Sequence, residues 1–138
     1  MKKKIIVDTG PLVAFINHND KYHSWSKNQL SHIVPPLLTC EAVLTETCFL
    51  LKKVNGGHNT LFELIDRKLI EIKFQLKEEM KHVHKILERY SDLPTSFADA
   101  CLVRMAELNE NAQILTLDND FQVYRKHNRQ VIPLIIPS

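Results

Sequence analysis

The chain has 138 residues, of which 44% are hydrophobic and 25% charged, and its formal net charge at pH 7 is +2. This composition is typical of a folded globular domain and argues against a disordered or low-complexity chain. No apolar stretch approaches the length of a membrane span, and Asp8 ends the first apolar run too early for a signal peptide. We therefore expect one domain over residues 1–138, located in the cytoplasm.

The cysteines and histidines show no metal-binding pattern. Cys40, Cys48 and Cys101 are an odd number, at spacings that match no zinc or redox motif. Free thiols in a reducing compartment are the expected state. The histidines are dispersed, and His82 and His84 are two positions apart and cannot share a helix face. A histidine metal site is therefore not expected.

In the first half of the chain, apolar runs and turn residues predict strands that alternate with helices. Residues 4–8 are predicted to form a short buried strand that ends at Asp8. Thr9 is expected to cap the helix that follows, which carries Pro11 in its first turn. The other elements predicted for this half are a helix over 22–32, a strand at 37–38, a helix from a cap at Thr39 to about Val54, and a helix over 58–67.

The second half continues the same alternation. It is predicted to hold an edge strand at 70–74, helices over 76–90 and 96–109, a strand at 113–117, a short helix from about Asn119 and a strand near 131–134. Short apolar strands between helices indicate an α/β fold, with a mostly parallel central sheet flanked by helices on both faces. Ligands of such sheets bind outside the carboxyl ends of the strands, where Asp8 and Asp118 both fall.

Four acidic residues occupy positions where the local pattern is apolar: Asp8, Glu46, Asp99 and Asp118. A buried charge is costly unless it is paired or coordinates a metal. Four such residues in one small domain suggest a single shared site. We interpret them as a carboxylate cage for divalent cations, and the chemistry that such a cage favours is phosphodiester hydrolysis.

Glu46 gives the clearest of these signals. The residues three and four positions away on either side are all apolar: Ala42, Val43, Phe49 and Leu50. An exposed, solubilising glutamate is not expected on such a stripe, which should face inward. The alternative is a buried glutamate paired with an arginine.

The three aspartates each have a structural alternative. Asp99 ends the sequence Ser96-Phe97-Ala98-Asp99, which resembles a capping box, and on its own this aspartate supports either interpretation equally. Asp118, considered alone, fits a helix cap at the turn that it begins. Asp8 could cap the helix after it, but the neighbouring Thr9 already offers a capping hydroxyl. Only the four acids together favour a shared site.

Taken in order, these features resemble those of the PIN-domain ribonucleases, most of all the VapC-type toxins of bacterial and archaeal toxin–antitoxin pairs. The resemblance rests on four motifs: Ile6-Val7-Asp8-Thr9-Gly10-Pro11-Leu12, Val43-Leu44-Thr45-Glu46, Ser96-Phe97-Ala98-Asp99-Ala100 and Leu115-Thr116-Leu117-Asp118-Asn119-Asp120-Phe121. It implies that Asp8, Glu46, Asp99 and Asp118 are the metal-binding and catalytic acids, with Thr116 and Asp120 as supporting members. It also implies an RNA substrate, a homodimer and an antitoxin that blocks the acidic mouth.

The expected cofactor is Mg²⁺ or Mn²⁺, hard cations that prefer oxygen ligands. Such a cation can lower the pKa of a water molecule, orient it for in-line attack and neutralise charge on the phosphate. Asp8 and Asp99 are assigned as the principal ligands. Glu46 and Asp118 are second ligands or, through water, orient the attacking hydroxide. Candidate phosphate contacts are the basic residues Lys21, Lys52, Lys53, Arg104, Arg125 and Lys126.

Two other classes of protein fit parts of the pattern. One is a phosphotransfer domain with Asp8 as an aspartyl nucleophile. Against it, Gly10 stands where haloacid-dehalogenase-like phosphatases need a second aspartate, and no paired acids follow the first strand as in receiver domains. The other is a non-catalytic RNA-binding or scaffold domain that has kept the PIN-like fold.

Overall fold

A computed structural model describes residues 3–138. Its strands are β1 (Ile5–Val7), β2 (Leu37–Thr39), β3 (Ile70–Ile72), β4 (Gln113–Leu115), β5 (Arg125–Lys126), β6 (Gln130–Val131) and β7 (Leu134–Ile135). Its α-helices are α1 (Thr9–Ile16), α2 (His23–Ser31), α3 (Glu41–Leu50), α4 (Gly57–Asp66), α5 (Leu76–Arg89) and α6 (Phe97–Leu108). A short 3-10 helix covers Asn119–Gln122.

Five strands form one parallel sheet in the order β3-β2-β1-β4-β7, and β5 pairs with β6 in a separate antiparallel ribbon. The chain moves from β1 to one edge of the sheet, crosses back to β4 and continues to the other edge. Right-handed crossovers then put α1–α4 on one face and α5 and α6 on the other. The predicted α/β fold is confirmed, and β1 and β4 are the neighbours between which the winding reverses.

The core includes the central strands, α6 and buried residues of α1, α3 and α4. Every residue of β1 is buried, and Ile6, Ile114 and Leu115 are inaccessible to solvent. Eight of the twelve residues of α6 are buried, and the helix contacts both β1 and β4. Because α6 packs against the two strands that flank the switch point, the position of its first turn relative to the ends of those strands is fixed.

Several predicted boundaries were wrong. Thr39 does not cap α3, because it is the last residue of β2 and its hydroxyl donates to the carbonyl oxygen of Val7 at 2.9 Å. Cys40 is the N-cap residue, and α3 ends at Leu50 rather than near Val54. The last predicted strand is two short strands, β6 in the ribbon and β7 in the main sheet.

The lengths of α1, α2, α4, α5 and α6 agree with the predicted helices to within one or two residues. The strand predicted at 113–117 ends at Leu115, so that Thr116 and Leu117 already belong to the loop that leads to the 3-10 helix. Between residues 3 and 138 there is no helix long and apolar enough to cross a membrane.

Candidate active site

A cavity of about 630 Å³ opens at the carboxyl ends of β1 and β4, where the sheet changes its direction of winding. All four predicted acids line this cavity: Asp8, Glu46, Asp99 and Asp118. They come from four separate segments of the chain, and each is held by hydrogen bonds that the local structure provides.

Asp8 joins β1 to α1 and is almost wholly buried, with 7% of its surface exposed. Its Oδ1 accepts a hydrogen bond from the backbone N–H of Thr9 at 2.7 Å, so Asp8, not the predicted Thr9, is the N-cap of α1. Its Oδ2 accepts a hydrogen bond from the Thr116 hydroxyl, also at 2.7 Å. Thr116 follows β4, and this contact ties the ends of the two central strands together.

Because Asp8 caps α1, the hydroxyl of Thr9 is available for a hydrogen bond to Glu46. The Thr9 hydroxyl donates to Glu46 Oε1 at 2.8 Å, which links α1 to α3. Glu46 is half-buried and forms no ion pair with any arginine among residues 3–138, so the predicted alternative of an arginine partner is not observed.

The apolar neighbours of Glu46 predicted that this face of α3 is buried, and that prediction was wrong. Phe49 and Leu50 are 71% and 54% exposed, and the buried residues of α3 are Val43 and Thr47. Glu46 lines the cavity because of where α3 begins, at the carboxyl end of β2, and not because its neighbours face the core.

Asp99 forms the predicted capping box and also lines the cavity. Its backbone N–H donates to Ser96 Oγ at 3.0 Å, and its Oδ2 accepts from the Ser96 N–H at 3.3 Å, which completes a capping box. The same Oδ2 accepts a hydrogen bond from the hydroxyl of Tyr124 at 2.9 Å. Asp99 Oδ1 makes no hydrogen bond to another residue within 3–138, and that oxygen is available to a ligand.

Tyr124 is a site residue that the sequence analysis missed. It has no exposed surface, and a buried tyrosine hydroxyl normally needs a polar partner. The sequence contained that requirement but not the identity of the partner, which lies 25 residues away in α6.

Asp118 also combines two roles. Its Oδ1 accepts from the Asp120 N–H at 2.9 Å and so caps the 3-10 helix, while its own N–H donates to Thr116 Oγ1 at 2.9 Å. Thr116 thus contacts two of the four acids. Asp120, predicted as a supporting member, contributes its backbone amide, but its side chain is not among those that line the cavity.

Burial and neighbouring charges disfavour the ionised forms of Asp8 and Asp99. Burial raises the pKa of Asp8 to about 6, the hydrogen bonds from Thr116 and Thr9 oppose the rise, and the charges of Asp99 and Asp118 add to it. Burial likewise raises the pKa of Asp99, with a smaller contribution from the charge of Asp118. Within residues 3–138, none of the four acids forms a salt bridge. In the described part of the chain, the negative charge of these acids is therefore opposed by hydrogen bonds and not by ion pairs.

Arg104 is excluded as the predicted phosphate contact. Its guanidinium donates to Glu79 at 2.7 Å and to Glu107 at 3.1 Å, in a largely buried network between α5 and α6. Lys52 and Lys53 are exposed beyond the end of α3 and remain candidates.

Gly10 has a steric reason to be glycine. A Cβ at this position would lie 3.2 Å from the side chain of Leu117, and both residues line the cavity. The absence of a side chain lets the first turn of α1 approach the loop after β4, and this brings Asp8 and Asp118 to the same opening.

The donor set fits a hard divalent cation, because every side chain concerned offers carboxylate oxygens. As the side chains are placed, no group of three or more His, Cys, Asp or Glu residues between 3 and 138 is arranged to hold an ion jointly. The predicted cage, in which all four acids grip one ion together, is therefore not formed by the described side chains. Mg²⁺ is usually bound by one or two carboxylates, with water and substrate phosphate oxygens as the other ligands.

These features define a class: an α/β domain with a carboxylate-lined cavity at the switch point of a parallel sheet. The sequence model of the PIN domain matches residues 5–127. The chain therefore belongs to the PIN-domain family, and the predicted resemblance is confirmed. A search of curated proteins found no significant match.

The fold is also similar to a solved structure, that of VapC20 from Mycobacterium tuberculosis, a toxin that cleaves the sarcin–ricin loop. The two superpose with a TM-score of 0.70 at 23% sequence identity, over 87% of this chain and 94% of the VapC20 chain. At this identity the similarity establishes a common fold.

Proposed function

We propose that this protein is a divalent-metal-dependent endoribonuclease, and that it is the toxin of a toxin–antitoxin pair. The observation that carries the proposal is the cavity that four carboxylates line, none of which forms a salt bridge with another residue of the described range 3–138. Membership of the PIN-domain family, which includes RNA-cleaving nucleases, supports the reaction class. The fold shared with VapC20 supports the role as a toxin.

In this proposal Mg²⁺ or Mn²⁺ binds in the cavity that the four acids line, as PIN-domain nucleases generally use a divalent metal. Asp8 and Asp99 are the principal ligands, because they are the most buried of the four and their pKa values are the ones that burial raises. When bound, the ion supplies an activated water molecule and neutralises charge on the phosphate. Glu46 and Asp118 orient the attacking water or complete the ligand set.

The other residues at the cavity position these acids. The hydroxyl of Thr116 donates a hydrogen bond to Asp8, and that of Tyr124 donates one to Asp99. The hydroxyl of Thr9 donates a hydrogen bond to Glu46. The N-terminal turn of α1 lines the same opening, where a helix end favours a phosphate group. The carboxylates of the cavity would repel the negatively charged RNA backbone. The positive end of the helix dipole and the metal together offset this repulsion.

We further propose that residues 1–138 form one nuclease domain, that it acts in the cytoplasm as a homodimer, and that an antitoxin protein covers the acid-lined cavity. The fold shared with a VapC toxin supports these proposals. A small reading frame for an antitoxin, next to the coding region, is the simplest observation that would support the pairing.

Cleavage of a structured RNA in Mg²⁺ or Mn²⁺ tests the proposed activity. Wild type is compared with Asp8→Asn, Asp99→Asn and a control, Asp92→Asn, which changes an exposed aspartate in the loop before α6. Circular dichroism confirms that each variant is folded. We expect cleavage by wild type and the control, and at least a hundredfold loss in the two cavity variants. Undiminished cleavage by the folded cavity variants would reject the assignment, and no cleavage by wild type would favour a non-catalytic scaffold.

A further inference from the structure

A second groove adjoins the acid-lined cavity at the start of α6. It has a volume of about 340 Å³ and is lined by Met80, Lys81, His84 and Leu87 of α5 and by Phe97 of α6. We call it the Phe97 groove. None of its lining residues forms a described hydrogen bond to the four acids, so the groove has no part in their positioning.

Phe97 is 41% exposed although it is the first residue of a helix that is otherwise mostly buried. The residue before it, Ser96, lines the acid-lined cavity, and consecutive Cα atoms are about 3.8 Å apart. The two depressions are therefore lined by consecutive residues of the chain at the start of α6.

The charge around the groove suits RNA. Lys77, Lys81 and Lys85 are exposed and lie at four-residue intervals along α5, which places them on one side of the helix. None of them forms a salt bridge with another residue between 3 and 138. Of these three lysines, Lys81 lines the groove. An exposed aromatic ring beside a cationic side chain is a usual combination in proteins that bind single-stranded nucleic acid.

We propose that the Phe97 groove binds an unpaired nucleobase of the RNA, adjacent to the phosphate that is cleaved. The base stacks on the ring of Phe97, and the ammonium group of Lys81 contacts the RNA backbone. Because every base offers a π face, the groove positions the strand and does not select a particular base. This inference rests on the proposed ribonuclease function and adds a substrate-binding site to it.

Binding without cleavage tests the groove. The probes are two fluorescein-labelled chains of equal charge, an adenosine octaribonucleotide and a ribose-phosphate octamer without bases, and both are titrated in EDTA with anisotropy as the readout. The variants are Phe97→Ala, Phe97→Trp, Phe97→Leu and Lys81→Gln. Leu108→Ala is the matched control, since Leu108 is 46% exposed at the opposite end of the same helix. The melting temperature of each variant confirms its fold.

We expect Phe97→Ala to weaken binding of the adenosine octamer about 5- to 150-fold, the range of base–aromatic stacking, and to leave binding of the base-free octamer unchanged. Phe97→Trp should bind like wild type and Phe97→Leu like Phe97→Ala, because stacking needs an aromatic ring. Lys81→Gln should weaken binding of both probes by the same factor. Leu108→Ala should leave binding of both probes unchanged.

Three results would overturn the proposal: wild type that binds neither octamer, wild type that binds both equally, or a Phe97→Ala variant that binds the adenosine octamer like wild type. The second result would mean that the protein contacts only the sugar-phosphate backbone, and the third that the base does not stack on Phe97. Failure of the proposed nuclease function is seen separately, as an absence of Mg²⁺-dependent RNA cleavage while binding in EDTA is intact.

Discussion

The hydroxyl of Tyr124 donates a hydrogen bond to Asp99 Oδ2 at 2.9 Å, and Tyr124 has no solvent-exposed surface. Asp99 is thereby held from two sides, by Tyr124 and by the backbone N–H of Ser96. Both contacts use the same oxygen, so the other oxygen of Asp99 keeps a fixed direction and stays available. A single buried hydroxyl thus positions a proposed metal ligand without touching the metal or the substrate.

Tyr124→Phe should therefore reduce the apparent affinity for Mg²⁺ in the cleavage reaction by about 10- to 100-fold, the usual effect of removing a partner of a metal ligand. The variant keeps the ring, so the core packing of Tyr124 on Tyr90 and Phe121 remains. The measurement is the Mg²⁺ dependence of the initial rate.

Tyr90→Phe is the control for Tyr124→Phe. Its hydroxyl accepts a hydrogen bond from the Arg125 backbone N–H at 2.8 Å and contacts none of the four acids. It should lose some stability and no Mg²⁺ affinity. Equal Mg²⁺ affinities in the two variants would show that Tyr124 has only a structural role.

Asp8→Asn should raise the melting temperature of the metal-free protein at pH 8. The pKa of Asp8 is about 6 in the folded protein, against an ordinary value of about 3.9. The folded state thus binds the proton more tightly than the unfolded state, and the stability of wild type falls as the pH rises from about 4 to about 6. Above that range the buried charge costs about 3 kcal/mol, equivalent to about 5–10 °C for a domain of this size.

The stability gain of Asp8→Asn should disappear near pH 4, where Asp8 is protonated in the folded state. Thermal unfolding in EDTA at several pH values between 4 and 8 measures it. Asp66→Asn, at an exposed position at the end of α4, is the control and should show no such pH dependence. If the melting temperatures of wild type and Asp8→Asn differ by the same amount at pH 4 and pH 8, the buried charge of Asp8 is not the cause of the difference.

Thr9→Val should lower the cleavage rate about 10-fold, because the hydroxyl that holds Glu46 at 2.8 Å is lost and a hydrogen bond to a charged group is worth about 1.5–3 kcal/mol. The comparison is Thr45→Val, which removes an exposed hydroxyl bonded to the carbonyl oxygen of Glu41 in α3. Single-turnover cleavage separates the chemical step from binding. If both variants cleave at the same rate, Glu46 needs no positioning by Thr9.

Several features of the fold and site could be predicted because they depend on local patterns. Short buried strands that alternate with helices have few arrangements other than a parallel sheet, and in such a sheet Asp8 and Asp118 must lie at the same edge. The capping box of Asp99 was also visible in the spacing from Ser96.

The remaining features depend on contacts between distant segments. Thr9 and Thr39 both resemble helix caps, but each donates its hydroxyl to a different element, Thr9 to Glu46 and Thr39 to Val7. Hydroxyl groups can satisfy either kind of partner, so the local sequence does not decide between them. The same holds for Tyr124, whose partner is determined by the packing of the segment after β4 against α6.

The ends of the RNA products test the proposed chemistry. In the proposed mechanism the carboxylates serve a metal-assisted attack by water, and the described residues that line the cavity include no histidine or lysine to activate the 2′-hydroxyl of the RNA. We therefore expect simple phosphate and hydroxyl ends, identified by mass spectrometry, and continued cleavage when the ribose at the cut site is replaced by 2′-deoxyribose. Products with 2′,3′-cyclic phosphates would contradict attack by water.

Titration of the metal-free protein with Mn²⁺ by calorimetry is the most direct test of the carboxylate site. Wild type should show saturable binding that disappears in Asp8→Asn and Asp99→Asn and persists in Asp66→Asn. If Mn²⁺ binds all four proteins alike, or fails to bind wild type even with a non-cleavable RNA present, the four acids do not form a metal site.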